Sequence, residues 1–216
     1  MNSQTRESPT ILIVPGLRGH VAEHWQTILE QKLPRSASVP RMETDKLSCA
    51  AWVASLDRSL QAIAGPVILV AHSAGVMMVV HWAQWHRRPI KGALLATPPD
   101  FETPLPDGYP TEEMLKRNGW LPTPRTPLPF PSIVAASTND PLGRFERVAE
   151  LAAAWGSRLV DVGAVGHLNP AAGYGEWARG EELVVQLSRE PAGCDADGGR
   201  SVDSVADRRD DAPREG

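Results

Sequence analysis

Short apolar runs alternate with helical patterns along most of this chain of 216 residues. A short apolar run bounded by Gly or Pro is typical of a strand buried on both faces, as in parallel sheets. Six such runs predict strands at residues 10–14, 38–42, 66–71, 90–97, 132–137 and 157–162. Because strands that alternate with helices form parallel sheets, we expect an α/β protein with about six strands and helices on both faces.

Apolar residues at helical spacing occupy the connections between these strands. They predict helices at residues 23–33, 48–63, 74–85, 144–155 and 176–187, and one helical turn at residues 111–117. A chain of this length usually forms one domain, which we place at residues 10–190. We expect residues 1–9 to be disordered. We also expect a disordered acidic tail at residues 191–216, which hold seven acids, four bases and no aromatic residue.

Composition excludes several classes of partner. The formal net charge is −4 and no basic face is evident, so nucleic acid is not expected to bind. No apolar run approaches the ~18 residues of a membrane span, and the first residues lack the pattern of a signal peptide. The two cysteines, Cys49 and Cys194, are expected to be reduced thiols. We therefore expect a soluble, cytoplasmic protein that does not bind membranes and is a monomer or a weak homodimer.

Ten of the 20 prolines lie in residues 98–131, hereafter the Pro-rich segment. Long loops in compact domains are frequently lids or binding loops, so this segment is expected to lie beside the active site. Trp120 and Phe130 are available there to line an apolar substrate pocket. Ordinary core packing is an open alternative for both side chains.

The stretch VAHSAGV, residues 70–76, places Ser73 between a buried strand and a helix. This strand–turn–helix context is typical of a nucleophile elbow, in which a strained backbone exposes the serine hydroxyl. Ala71 stands where the usual pattern has glycine, and Gly75 follows on the other side. The alternative reading is a serine that only caps the helix.

A serine hydroxyl needs a base, and the base needs an orienting carboxylate. We predict His167, in a glycine-rich loop after the last strand, as the base. His72 would point away from Ser73. His81 and His86 lie on the following helix, some two turns or more from Ser73. Asp140 follows strand 132–137 and gives the chain order Ser–Asp–His of α/β-hydrolases. Asp100, after the preceding strand, is the rival acid.

Backbone amides are expected to stabilise the oxyanion. Ala74, next to the nucleophile, and Leu17, in the loop after the first strand, are the predicted donors. The stretch HVAEH, residues 20–24, fits the H-x-x-E-H pattern of inverted zinc peptidases. Because His20 lies in a glycine-containing loop and not on a helix, no metal site is expected.

Five stretches carry a resemblance to a known family. The chain resembles the small serine hydrolases of the α/β-hydrolase superfamily related to retinoblastoma-binding protein nine, particularly the bacterial predicted-esterase branch. The stretches are VPGLRGHVAEHWQ (14–26), VILVAHSAG (67–75), GALLATPPD (92–100), ASTNDP (136–141) and GHLNPAAGYGEW (166–177). HWQ and GHLN…GYGEW are more specific to this family than the serine turn, which the whole superfamily shares.

The resemblance implies an α/β-hydrolase fold without a large cap domain and a catalytic triad of Ser73, Asp140 and His167. It also implies hydrolysis of small acyl substrates without a cofactor. We therefore expect an esterase-like serine hydrolase that works through an acyl-enzyme intermediate. Arg18 and His20 are candidate substrate contacts. A protein-interaction module on a hydrolase fold, with little or no catalysis, is the alternative function.

Overall fold

Six parallel strands form one sheet at the centre of the computed structural model, which describes residues 8–189. The strands lie in the order β2-β1-β3-β4-β5-β6. Their bounds are β1 Thr10–Val14, β2 Ser36–Ser38, β3 Val67–His72, β4 Gly92–Ala96, β5 Ser132–Ala136 and β6 Arg158–Asp161. Each neighbouring pair is parallel. The predicted α/β fold with a mostly parallel sheet is confirmed.

Residues 8–189 also contain six α-helices and one short 3-10 helix, of which the 3-10 helix and α6 follow the last strand. Their bounds are α1 Trp25–Lys32, α2 Cys49–Gln61, α3 Ala74–Trp85, α4 Glu112–Arg117, α5 Phe145–Ala154, α6 Ala178–Arg189 and the 3-10 helix Pro170–Ala172. Side chains fix where several of these helices begin. The Ser48 hydroxyl accepts a hydrogen bond from the Ala51 amide at 3.3 Å. Thr111 caps α4 in the same way.

Alternate side chains of each strand enter two separate cores. Leu12, Val14 and Leu69 pack on one face with α2, α3 and α5. Ile13 and Val70 pack on the other face with α1 and α6. Because both faces are covered, the inner strands are apolar throughout, which explains why they read as continuous apolar runs.

The strand predicted at residues 38–42 lies earlier in the chain than expected. The structure pairs Ser36–Ser38 with β1, and the Val39 amide still donates to the Ile13 carbonyl at 2.9 Å. Pro40 has no amide hydrogen, so it cannot continue the ladder. The pairing therefore ends before Pro40 at this edge of the sheet.

Some sequence predictions lie outside the described residues. These are the disordered acidic tail, Cys194, and most of the disordered N-terminus. Cys49 is a free, buried cysteine whose thiol pKa is raised by burial to about 12. Within residues 8–189, none of the helices combines the length and the apolar character needed to cross a membrane.

The strand order reverses between β1 and β3. From β1 the chain continues to β2 on one side of the sheet, and from β3 it continues to β4 on the other side. Helix α3 begins at this point and packs against the end of β1 without space for a side chain. A Cβ added to Gly75 would lie 2.3 Å from the Val14 carbonyl oxygen and 2.7 Å from the Pro15 carbonyl oxygen. In open α/β sheets, such a reversal is where ligands bind.

Gly75→Ala is expected to lower the free energy of unfolding by about 2 kcal/mol or more, because the new methyl group overlaps the backbone of β1. Urea unfolding monitored by circular dichroism measures the change. Gly175→Ala is the matched control, since the nearest atoms to its added Cβ would be 3.7 Å away. The control should stay within about 0.5 kcal/mol of wild type. Equal midpoints for the two variants would contradict the packing described.

Candidate active site

Ser73 occupies a strained turn between β3 and α3. Its backbone has φ 56° and ψ −129°, which a residue with a side chain adopts only under constraint. Its amide donates to the Ala96 carbonyl at 3.0 Å, which fixes the turn to β4. Its side chain makes no capping hydrogen bond to α3. The alternative role as a simple helix cap is therefore wrong, and the hydroxyl is available for another partner.

Ser73, His167 and Asp140 form one continuous chain of hydrogen bonds. The Ser73 hydroxyl lies 2.8 Å from Nε2 of His167. Nδ1 of His167 lies 2.8 Å from one Asp140 carboxylate oxygen and 3.0 Å from the other. Because a carboxylate only accepts, the imidazole proton lies on Nδ1, and Nε2 is free to accept from the hydroxyl. The structure thus brings the three predicted residues together in the order that proton transfer requires.

The loop that carries His167 has a strained backbone and is tied to the loop after β5. Gly166 and Leu168 both have positive φ, 57° and 49°. The Gly166 amide donates to the Asn139 side chain at 2.6 Å, and the Val165 amide donates to the Ser137 hydroxyl at 3.3 Å. The acid and the groups that hold the histidine loop therefore come from one stretch, residues 137–140. Sequence reasoning did not identify Ser137 or Asn139.

His72 also holds the histidine loop in place. Its Nε2 donates to the backbone carbonyl of His167 at 2.9 Å. Burial, followed by the nearby His167 and His24, lowers the pKa of His72 well below its ordinary value. His72 is therefore neutral near pH 7. As predicted, it is not hydrogen-bonded to Ser73; its hydrogen bond instead holds the backbone of His167.

Asp100, the rival acid, has a different partner. Its carboxylate accepts from Nε of Arg147, on α5, at 3.0 Å, and also from the Glu102 amide. Arg147 in turn contacts the Glu102 carboxylate at 3.2 Å. These contacts tie the start of the Pro-rich segment to α5 and leave Asp140 as the acid beside His167.

Leu17 and Ala74, the two residues whose amides were predicted as oxyanion donors, both lie beside Ser73. Ala74 is the first residue of α3, and both residues line the cavity at Ser73. Among residues 8–189, no acceptor is found for either amide. A Cβ added to Gly16 would lie 3.0 Å from Cβ of Ser73, so only glycine lets the first loop approach this closely.

A cavity of about 140 Å³ opens at Ser73. Leu17, Val21 and Leu142 contribute apolar wall, and Phe101 and Leu105 contribute wall from the Pro-rich segment. Arg18 is exposed and is the one lining residue with a permanently charged side chain. The site therefore combines a small apolar space with a cation at its rim.

Three candidate substrate contacts do not line this cavity. Trp120 is 1% exposed and packs edge-to-face against Trp52, while its Nε1 donates to the Leu47 carbonyl. Phe130 belongs to the same core. His20 instead lies with Nε2 3.1 Å from the Val39 carbonyl oxygen. The expectation of an acyl pocket built from Trp120 and Phe130 is wrong, because both rings are packed in the hydrophobic core.

The H-x-x-E-H stretch does not form one helical face. His24 caps the start of α1, so His20 lies outside the helix, in the preceding loop. Among the residues that the structure describes, no cluster of three or more His, Cys, Asp or Glu side chains is arranged to hold a metal ion. The geometry thus offers no zinc site in this loop.

A family comparison agrees with the geometry at Ser73. The model of the Serine hydrolase family matches residues 11–186, from β1 into α6. The chain belongs to the serine hydrolase family. The predicted resemblance is confirmed at this level. No curated protein sequence matches the chain.

Solved structures resemble this serine hydrolase over most of its length. A YdeN-like hydrolase from Pectobacterium atrosepticum is 33% identical and matches 84% of this chain and 91% of its own, with a TM-score of 0.72. The ydeN gene product of B. subtilis is 17% identical over 84% of this chain and all of its own, with a TM-score of 0.64. An esterase domain from a Rhodothermus marinus protein is also 17% identical, over 87% of this chain and 89% of its own, with a TM-score of 0.60. At 17% identity these last two show a shared fold.

Acid is expected to destabilise the serine hydrolase through His24. Burial, with smaller contributions from His167 and His20, lowers its pKa from 6.5 to about 4. Between these pH values the unfolded chain binds a proton that the folded protein does not, so stability falls as the pH is lowered through this window. At about pH 4.5, the protonation of His24 should make the protein roughly 2 kcal/mol less stable than at neutral pH.

Urea midpoints measured between neutral pH and about pH 4.5 test this effect. His24→Asn should show a shallower pH dependence, because asparagine still caps α1 but has no imidazole. His86→Asn replaces a partly exposed histidine on the other side of the protein and serves as control. Parallel pH profiles for wild type and His24→Asn would contradict the assignment.

Proposed function

We propose that this serine hydrolase is an esterase that cleaves small acyl substrates through a catalytic triad of Ser73, His167 and Asp140. The observation that carries the proposal is the hydrogen-bond chain from the Ser73 hydroxyl through His167 to Asp140. A hydroxyl is a weak nucleophile unless a positioned base removes its proton. The strained turn, the imidazole of His167 and the carboxylate of Asp140 together meet that requirement.

In the first half of the reaction, Oγ of Ser73 attacks the ester carbonyl while Nε2 of His167 takes the hydroxyl proton. Asp140 holds the Nδ1 proton and stabilises the imidazolium that forms. The carbonyl oxygen becomes an oxyanion, for which the Leu17 and Ala74 amides are the proposed donors. When the tetrahedral intermediate collapses, the alcohol leaves with the proton from Nε2, and the acyl group remains bonded to Ser73.

In the second half, His167 takes a proton from water and the resulting hydroxide equivalent attacks the acyl-enzyme. Collapse of this second intermediate returns the proton to Oγ of Ser73 and releases the carboxylic acid. The products are one alcohol and one acid, and the site is restored. Arg18, at the cavity rim, is proposed to contact the substrate or the departing acid.

Labelling with a fluorophosphonate probe tests whether Ser73 is the nucleophile. Wild type should be labelled, Ser73→Ala should not, and His167→Ala should label at least about a hundredfold more slowly, the usual contribution of a general base. Ser188→Ala is a matched control, since that hydroxyl lies on α6 and bonds to the Val185 carbonyl.

Absence of labelling in folded wild type would contradict the proposal. The alternative, an interaction module on a hydrolase fold, would then gain support, and binding partners would be the next measurement. Labelling that persists in Ser73→Ala would instead place the nucleophile elsewhere.

Short acyl chains are expected to be better substrates than long ones, because the cavity at Ser73 measures about 140 Å³ and the Pro-rich segment walls one side. The measurement is kcat/KM for a series of p-nitrophenyl esters from acetate to laurate. We expect the butyrate ester to exceed the laurate ester by about tenfold or more, since methylenes that cannot be enclosed add no binding. Equal or faster turnover of laurate would contradict the expected pocket size.

A further inference from the structure

The HWQ stretch, residues 24–26, places two buried polar side chains in the wall of the cavity that the proposed mechanism leaves unused. His24 caps α1 and is 8% exposed, and Gln26 in the first turn is 3% exposed. Both line the cavity at Ser73. Buried polar side chains normally find hydrogen-bond partners, so each remaining polar atom of this pair needs an explanation.

The hydrogen bonds of Gln26 determine how its amide group is oriented. One side-chain atom lies 2.9 Å from the Val70 carbonyl oxygen and 3.2 Å from the Val14 carbonyl oxygen. Because both partners are acceptors, this atom must be the donor, Nε2, and both of its hydrogens are used. Oε1 of Gln26 is left as an acceptor, and it has no hydrogen-bond donor within residues 8–189.

The hydrogen bonds of His24 determine its tautomer in the same way. Nδ1 accepts from the Gln26 backbone amide at 3.2 Å, so it carries no proton. Burial lowers the pKa of His24 to about 4, so the imidazole is neutral near pH 7 and its single proton lies on Nε2. No acceptor for this N–H is found within residues 8–189.

Neither of these two atoms is sealed inside the protein. Within residues 8–189, the side-chain polar atoms that are inaccessible to solvent and have no hydrogen-bond partner are Trp25 Nε1, Ser38 Oγ and Thr97 Oγ1. Nε2 of His24 and Oε1 of Gln26 are absent from that set, although both residues are more than nine-tenths buried. The cavity that they line is therefore where these two atoms meet solvent or substrate.

We propose that His24 and Gln26 form a polar subsite that binds a hydroxyl group near the reacting carbonyl, so that the preferred substrates are hydroxylated esters. This inference rests on the proposed esterase function and names its substrate class. A hydroxyl accepts a hydrogen bond from the N–H of His24 and donates one to Oε1 of Gln26. The pair complements that group with no polar atom left unpaired.

Charged groups fit this pair less well. A carboxylate would face the lone pairs of Oε1 of Gln26, and an ammonium group would face the N–H of His24. A methyl group would leave both polar atoms unsatisfied, which is the basis on which hydrogen-bonding pockets reject analogues that lack a polar group.

The pair lies close to the reacting groups. The ring of His24 contacts the ring of His72 edge-on with centroids 4.6 Å apart, and the ring of His72 lies 4.9 Å from that of His167. The ring of His72 thus contacts both His24 and the proposed base, His167. A hydroxyl held there lies near the scissile carbonyl, on the acyl chain or on the alcohol.

The test compares esters that differ only by a hydroxyl in place of a methyl group. On the acyl side, methyl lactate is paired with methyl isobutyrate and methyl β-hydroxybutyrate with methyl isovalerate. On the alcohol side, β-hydroxyethyl isobutyrate is paired with propyl isobutyrate. Each kcat/KM is divided by the rate constant for hydroxide hydrolysis of the same ester, which removes intrinsic reactivity. At least one pair should favour the hydroxyl ester by about tenfold.

The preference should depend on His24. His24→Asn retains an oxygen that caps α1 but, with its shorter amide, has no donor at the position of Nε2. His24→Phe retains the ring and has no donor. In each variant, the ratio within the preferred pair should fall to about one, measured per site titrated with fluorophosphonate. His86→Asn should keep the wild-type ratio. The pair that responds identifies whether the hydroxyl belongs to the acyl chain or to the alcohol.

Two results overturn the inference while the esterase function stands. One is turnover of these esters with no preference in any pair. The other is a preference that survives in both His24 variants, which would mean that the subsite holds only water. Failure to hydrolyse any ester, despite labelled Ser73, would remove the esterase function and this inference with it.

Discussion

The site depends on a contact between two backbones. Helix α3 starts so close to the end of β1 that Gly75 has no room for a Cβ. The turn before the helix is therefore constrained to an unusual backbone conformation. Ser73 takes up that strain with a positive φ. The loop after β1 also approaches Ser73 closely, at Gly16. The hydroxyl and the amides of Leu17 and Ala74 are therefore positioned by main-chain packing, which side-chain motion cannot easily disturb.

The histidines around Ser73 divide their roles according to burial. His72 and His24 are held neutral because burial lowers their pKa values. One ties down the loop of His167, and the other faces the cavity. Two neutral rings beside His167 add little charge to its surroundings. In the proposed mechanism, the imidazolium of His167 would then be stabilised chiefly by the Asp140 carboxylate.

Much of this arrangement was predictable because the carboxyl ends of parallel strands meet at one edge of the sheet. Ser73, Asp140 and His167 each follow a predicted strand, so they could be brought together without knowing the strand order. The pocket wall could not be predicted, because the sequence does not reveal which aromatic residues of the Pro-rich segment turn into the core, as Trp120 does. The roles of His24 and Gln26 were also hidden. They depend on a hydrogen bond from Gln26 to Val70, 44 residues away.

The length and composition of the Pro-rich segment suggest a loop that is free to move, but the Asp100–Arg147 ion pair holds its start against α5. Arg147 also reaches Glu102, which contacts Arg125 further along the same segment at 2.5 Å. Two separated points of this wall are thus fastened to each other and to α5. Segments already held in place before substrate arrives lose less conformational entropy on binding. Substrate range is then expected to depend on which side chains of this segment line the cavity.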